Sequence, residues 1–360
     1  MSQRIRIALV YGGRSSEHPI SVVSAGSVLG ALDPDTYEVV TIGITRSGAW
    51  LRTEADPGQL QITGRQLPEV VQPPASELAV RPSSDAPAVF AGSSAVAALD
   101  SVDVVFPVLH GAFGEDGTIQ GMLEMAGVPY VGSGVLASAA GMDKVFTKTV
   151  MRAAGLNVGE FIVVRRGERP AAPDIEHLGL PLFVKPARAG SSVGITKVRH
   201  YDELPDALAL AFEHDSKVLI EAALVGHEVE CGVLQDADGT VSASLPAEIR
   251  LHGDFDWYSF DAKYLDDASD FDIPPNLPSE TIKAVQDAAC TAFNALECSG
   301  LARVDFFVTD AGRVIVNEIN TMPGFTPISM YPKMWAESGV SYPELINRLV
   351  ATALARGGSG

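Results

Sequence analysis

Basic side chains are scarce: Lys and Arg number 26 against 45 Asp and Glu, for a net charge of −19, and no extended basic cluster interrupts that balance. A surface that clamps phosphate backbones or anionic lipid is therefore not expected, and neither nucleic acid nor membrane is an expected partner. No stretch approaches the roughly 18 consecutive apolar residues that a membrane helix needs. The three cysteines, Cys231, Cys290 and Cys298, are odd in number and form no Cys-x-x-Cys, which argues against a disulfide framework and fits buried side chains in a reducing compartment. The seven histidines show no paired spacing, which argues against a zinc site. Gly-Lys-Ser/Thr is absent, so there is no Walker A loop. The first residues lack the apolar region and small-residue cleavage site of a secretory signal, and a cytoplasmic location is expected.

What is present is enough for several cores. A chain of 360 residues, 46% of them hydrophobic, predicts two or three compact units. In residues 1–133, short apolar runs at 4–10, 37–44, 102–109 and 128–131 alternate with helical patterns at 17–32 and 118–126, which predicts an α/β unit with an open, mostly parallel sheet. Residues 67–87, rich in Pro, Ser and Ala, read as a solvated connection. A second unit, 134–225, carries a helix over 144–154, strands at 182–186 and 194–198, a helix over 204–213 and a strand at 218–221. A third, 226–360, carries strands at 228–234, 301–308 and 314–319 and helices near 280–296 and 342–354. Residues 251–278 hold almost no periodic pattern yet contain Trp257, Tyr258, Lys263 and Tyr264, which suggests a lid.

Two constellations carry chemistry. Between the strands at 182–186 and 194–198 lies Ala187-Arg188-Ala189-Gly190-Ser191-Ser192-Val193. Its small residues can lay backbone N–H groups and the Ser191 and Ser192 hydroxyls over a polyphosphate, with Lys185 beside it; a plain glycine hairpin is the alternative. In the strands at 301–308 and 314–319, alternation puts Arg303 and Asp305 on one face and Glu318 and Asn320 on one face of the partner. Pairing them gathers two carboxylates and an amide oxygen, a set suited to a hard cation such as Mg2+ bridging nucleotide phosphates. An exposed face with an Arg–Asp pair is the alternative there. Gly132-Ser133-Gly134-Val135-Leu136-Ala137 fits a dinucleotide fingerprint in its Ala-ending form, without an acidic residue at the expected distance. Glu17 stands at a helix start, where it either favours the helix dipole or holds an ammonium group. His110, directly after a strand, stands at the carboxyl end of a parallel sheet, or simply bonds its loop.

Taken in order, Gly12-Gly13-Arg14-Ser15-Ser16-Glu17-His18, Leu109-His110-Gly111, Met142-Asp143-Lys144, Lys185-Pro186 with Gly190-Ser191-Ser192-Val193-Gly194, Ala262-Lys263-Tyr264, Arg303-Val304-Asp305 and Asn317-Glu318-Ile319-Asn320-Thr321-Met322-Pro323-Gly324 closely resemble the D-alanine:D-alanine ligases of the ATP-grasp superfamily. The resemblance runs along nearly the whole chain and implies a three-domain ATP-grasp architecture, α+β in its ATP-binding part. It implies a cytoplasmic ligase that joins two D-alanines through a D-alanyl phosphate for peptidoglycan synthesis. The cofactors would be ATP and Mg2+, with Mn2+ able to substitute and two ions expected, and the assembly a homodimer.

Carried over by position, the resemblance implies that Lys144 and Lys185 contact the ATP phosphates and that Ser191 and Ser192 cover them. It gives Glu221 the adenine amino group, the backbone at Ala223 and Leu224 the purine edge, and Glu228 the ribose. Asp305, Glu318 and Asn320 become metal ligands. Glu17 would bind the first D-alanine's ammonium, His110 would lie near its carboxylate, and Ser329 would hold the second carboxylate. Arg303 and the Gly324 N–H would stabilise charge on the reacting carboxyl. Lys263 and Tyr264 would sit in the lid, with the Tyr264 phenol bonded to Ser191 and Glu17 and favouring an amine over a D-lactate acceptor. Competing readings are another ATP-grasp carboxylate–amine ligase, a nicotinamide dehydrogenase built on residues 132–137, and a nucleotide-binding module without turnover.

Overall fold

The computed structural model describes residues 4–62, 67–71, 99, 101–190, 192–251 and 269–357. The first unit begins with β1 (Ile5–Gly12), α1 (His18–Ala31), β2 (Tyr37–Ile44) and β3 (Trp50–Thr53), followed by β4 (Val104–Val108) and α2 (Thr118–Ala126). Its sheet runs β3-β2-β1-β4, with β1 parallel to both β2 and β4 and only the β3 edge antiparallel. The unbroken apolar run of β1 follows from burial on both faces: Ile7, Leu9 and Tyr11 enter one core, Ala8 and Val10 another. The expected strand at 128–131 shrinks to one bridge between Val105 and Tyr130, because Pro129 has no N–H to extend a ladder. Of residues 67–87, only 67–71 are described.

The second unit contains α3 (Val135–Met142), α4 (Lys144–Ala153), β5 (Phe161–Arg165), α5 (Ala172–Leu178), β6 (Leu182–Pro186), β7 (Thr196–Val198), α6 (Leu204–His214) and β8 (Lys217–Ala222). Its antiparallel sheet runs β5-β8-β6-β7, and α5 and α6 supply part of its core. The third unit adds β9 (His227–Gln235), β10 (Val241–Ala243), β11 (Ala247–Leu251), β12 (Ser269–Asp272), α7 (Ser279–Ala295), β13 (Leu301–Val308), β14 (Val314–Asn320), α8 (Met330–Glu337) and α9 (Tyr342–Gly357). Its sheet runs β12-β11-β9-β13-β14, with β10 on β9. The 251–278 segment is not wholly patternless: its flanks β11 and β12 pair antiparallel, while 252–268 lie outside the described residues.

The first and third units share a core. Ile7, Leu9, Val22 and Phe106 join Phe325, Tyr331, Leu345, Ile346 and Leu349 in one buried cluster. The Phe106 and Phe325 ring centroids lie 5.9 Å apart, and the Tyr37 hydroxyl donates to Asn347 Oδ1 at 2.9 Å. Cys231 and Cys298 are buried as expected, whereas Cys290 on α7 is only half-buried. Among the described residues, no helix is long and apolar enough to cross a membrane.

Candidate active site

Two adjoining pockets lie where the three units meet. One is lined by Lys144, Lys185, Ser192, Glu221, Ala223, Leu224, Glu228, Asp305 and Glu318; the other by Glu17, His110, Glu115, Arg303, Asn320 and Gly324, with Lys144, Ala189, Gly190, Asn317 and Glu318 common to both. Strand alternation builds the floor. Val229, Cys231 and Val233 of β9 and Val304, Phe306 and Val308 of β13 turn to the α7 core, which leaves Glu228, Glu230, Arg303 and Asp305 facing the cleft.

Register then sets three carboxylates side by side, since Glu230 opposes Asp305 on one side and Glu318 opposes it on the other. A β-bulge makes this possible, because Asn317 has no partner between Glu318, opposite Asp305, and Val316, opposite Phe306. Like charges directly opposed across strands destabilise a sheet unless a cation answers them. Arg303 answers two, bonding both Asp305 oxygens at 2.7 and 2.8 Å and lying 3.2 Å from Glu230. Arg303 is largely shielded from water, which alone would lower its pKa, but Asp305 and Glu230 hold it well above the ordinary arginine value. Glu318 lies 3.6 Å from Lys144 Nζ, and Asn320 Nδ2 donates to Asp305 at 3.2 Å. The described residues contain no cluster of three His, Cys, Asp or Glu ready to hold a metal. Asp305, Glu318 and Asn320 instead offer the all-oxygen donors that suit a hard divalent cation.

Lys144 joins this floor to the 187–195 loop, since its ammonium also donates to the Ala189 carbonyl at 2.9 Å. It is presented by Asp143, which caps α4 by accepting from the Val145 and Phe146 N–H groups and is ion-paired to buried Lys217. Deeper in the cleft, Glu221 on β8 lies between Lys185 Nζ at 2.7 Å and Lys148 Nζ at 3.1 Å. Burial would raise the Glu221 pKa, yet the two ammonium groups win and hold it down at about 2. Burial pushes Lys148 below the ordinary lysine value in spite of Glu221. Burial acts the same way on Lys185, but there the nearby carboxylates prevail and raise it.

In the second pocket, Glu17 is the residue at the N-cap of α1, but its side chain makes no capping bond; its N–H donates to Ser15 Oγ at 3.2 Å instead. Its carboxylate faces two glycines, with a Cβ built on Gly111 falling 2.6 Å, and one on Gly190 3.1 Å, from Glu17 Oε2. His110 lines the site and also bonds as a loop residue: Nδ1 donates to the Met322 carbonyl at 3.0 Å and Nε2 faces Ser24 Oγ at 3.4 Å. Burial lowers its pKa, against the raising effects of Glu17 and the Met322 bond. Glu115 is pushed up to about 8, first by burial and then by Glu17.

Most of the residues singled out in the sequence converge on these pockets. Ser329 does not line either; its hydroxyl bonds the Thr326 N–H at 3.1 Å and would lie 3.1 Å from a Cβ on Gly324. Ser191, Lys263 and Tyr264 lie outside the described residues. The glycines at 132–137 line neither pocket: a Cβ on Gly132, at φ +102°, would fall 3.1 Å from the Met322 methyl, and Gly134 caps α3 after a single bridge instead of a strand. Lys148, Glu115 and Glu230 were not singled out in the sequence. Lys148 follows Lys144 by one helical turn, a spacing that signals a shared face; nothing comparable marks the other two.

Two family profiles match the chain, one described as D-ala D-ala ligase N-terminus over residues 6–133 and one as D-ala D-ala ligase C-terminus over 150–351. A D-alanine--D-alanine ligase of Mycolicibacterium paratuberculosis is 56% identical across 99% of this chain and 98% of its own length, and one of Rhodococcus erythropolis is 57% identical with the same coverage. Among solved structures, the VanG D-Ala:D-Ser ligase of Enterococcus faecalis matches with a TM-score of 0.79 at 35% identity, over 98% of this chain and 100% of that one. The D-alanine-D-alanine ligase of Coxiella burnetii matches with a TM-score of 0.79 at 33% identity, over 99% and 96%.

Proposed function

The chain belongs to the D-alanine–D-alanine ligase family, and on that premise we propose how its residues share the reaction. It is an ATP-dependent ligase of the ATP-grasp architecture that joins two D-alanines through a D-alanyl phosphate, for cell-wall peptidoglycan. The observation that carries the division of labour is the junction of the two pockets at Lys144 and Glu318. A nucleotide in the first pocket would bring its terminal phosphate to the edge of the second, where an amino acid's carboxylate would wait.

The purine would lie against Glu221, Ala223 and Leu224, with Glu228 at the ribose. Lys144 and Lys185 would receive the phosphates under the loop that carries Ser191 and Ser192. Asp305, Glu318 and Asn320 would hold Mg2+, one ion or two, or Mn2+ in its stead; bound there, such an ion offsets charge on the phosphates. Glu17 would take the ammonium of the first D-alanine, with His110 close to its carboxylate and Ser329 turned to the carboxylate of the second. Attack of the first carboxylate on the γ-phosphorus forms an acyl phosphate and releases ADP. The second amine then attacks that carbonyl, the oxyanion is met by Arg303 and the Gly324 N–H, and phosphate leaves. An acyl phosphate must be kept from water, a task that would fall to the segment carrying Lys263 and Tyr264.

A three-domain division at 1–133, 134–225 and 226–360, a homodimer and a cytoplasmic location complete the reading. The test is to supply purified protein with ATP, Mg2+ and D-alanine, D-serine, D-lactate or L-alanine, and to measure phosphate and condensed product. D-alanyl-D-alanine formed with one phosphate released per bond is expected. Phosphate release without condensation, or preference for another amino acid, overturns the reading.

A further inference from the structure

One short stretch of the first unit grips the backbone of Met322 from both sides. The Met322 carbonyl accepts from His110 Nδ1 at 3.0 Å, and its N–H donates to Glu115 Oε1 at 3.3 Å. The other oxygen of the same carboxyl, Oε2, accepts from the Gly111 N–H at 2.6 Å. Glu115 therefore ties the loop that carries His110 to the segment running from Asn320 to Gly324, across the boundary between the first and third units. Both its oxygens are committed to backbone donors, and none of the roles assigned above uses it. The restraint is transmitted along the chain: Pro323 follows Met322, and its ring fixes φ near −65°, so a held Met322 carbonyl leaves Gly324 little freedom.

We propose that Glu115 is a positioning residue which, with His110, clamps Met322 and so keeps the Gly324 N–H and Asn320 aligned with the first unit's half of the pocket. The clamp is a matter of geometry; only the tasks of Gly324 and Asn320 rest on the ligase reading. Glu115→Gln preserves size but replaces one oxygen with an amide NH2 that cannot accept from a backbone N–H, so one of the two donors loses its partner. Glu115→Asp retains the carboxyl on a shorter arm that cannot span both donors.

The experiment is hydrogen–deuterium exchange on the ligand-free proteins together with steady-state kinetics. In both variants, exchange over residues 320–324 should accelerate by about 10-fold or more, while α9 and the second unit keep their wild-type rates. Dipeptide kcat should fall roughly 10- to 100-fold, the scale on which a loosened supporting contact slows chemistry, with KM for ATP unchanged. Unchanged exchange at 320–324 overturns the proposal, as does acceleration spread over the whole protein with KM for ATP rising alongside, which would mark a general structural role. Exchange reads the clamp whatever the reaction is. A wild-type protein that forms no dipeptide would count against the ligase reading and leave the exchange result standing.

Discussion

A carboxylate oxygen of Glu17, at the start of α1, lies 3.1 Å from where a Cβ on Gly190 would stand, so the first unit and the loop of the second meet across the second pocket, where a larger residue fits only if Glu17 gives way. Gly111 is closer still at 2.6 Å and has φ +73°. Gly111→Ala should therefore combine a clash with left-handed strain of about 1–2 kcal/mol and lower both stability and activity. Gly190→Ala should leave the melting temperature nearly unchanged, because Glu17 can yield by a few tenths of an ångström, and should mainly raise KM for the first D-alanine. Thermal melts and initial rates on the two variants check the contrast.

Glu318→Gln removes one of the opposed carboxylates of β13 and β14. Dipeptide formation should drop by about 100-fold or more if, as proposed, Glu318 helps hold the charge-offsetting cation. The ligand-free melting temperature should hold or rise, because a like-charge cross-strand pair is relieved. Calorimetry and activity measured against Mg2+ concentration would show both. A stability loss that accounts for the lost activity would contradict this account of the site.

Glu221 and Glu115 predict opposite pH slopes. Glu221 falls from an ordinary 4.5 to about 2, so its contribution to stability is full above 4.5 and disappears as pH drops from there toward 2. Glu115 rises from 4.5 to about 8, so the folded protein binds the extra proton between those values and stability declines as pH climbs through them. Urea unfolding across pH should show Glu221→Gln flattening the acid slope and Glu115→Gln the neutral one. The same slopes in wild type and variants would contradict both assignments.

Lys148→Met should weaken ATP binding more than it slows turnover. It removes one of the two ammonium groups beside Glu221 while Lys185 remains, so the stability loss should be about 2 kcal/mol, below the cost of stranding a buried charge. With Lys185 then the remaining counter-charge to Glu221 among the described residues, KM for ATP should rise several-fold with kcat changed less. Chemical denaturation and nucleotide titration measure the two effects.

The polar floor was legible because Arg303, Asp305, Glu318 and Asn320 break an otherwise apolar pair of strands at period 2, and the loop at 187–194 because small residues sit between two apolar runs. The bulge at Asn317 was not, since periodicity carries no record of where a ladder gains a residue. Glu115 sits in a glycine-rich loop where a lone carboxylate has no pattern to belong to. It becomes meaningful only when Met322, brought in from the third unit, supplies the second donor. The strands β11 and β12 were missed because four- or five-residue runs such as Ser-Asp-Phe-Asp are ordered by the neighbour they pair with more than by their own composition. The apolar stripe of α9 was readable as a helix face, but its partner, the first sheet, was not.

That partner choice bears on the order in which the chain acquires structure. Ile7, Leu9 and Phe106 share their core with Leu345, Ile346 and Leu349. During synthesis, the first sheet would therefore wait with one face covered only in part, by α1, until almost all of the described chain has been made, while the second unit can close its own core much sooner. Loop closure over such a separation is entropically slow, and the waiting face is the place where a holding chaperone would find apolar surface. Residues 1–133 made alone should therefore aggregate, whereas adding residues 320–357 in trans should restore some solubility.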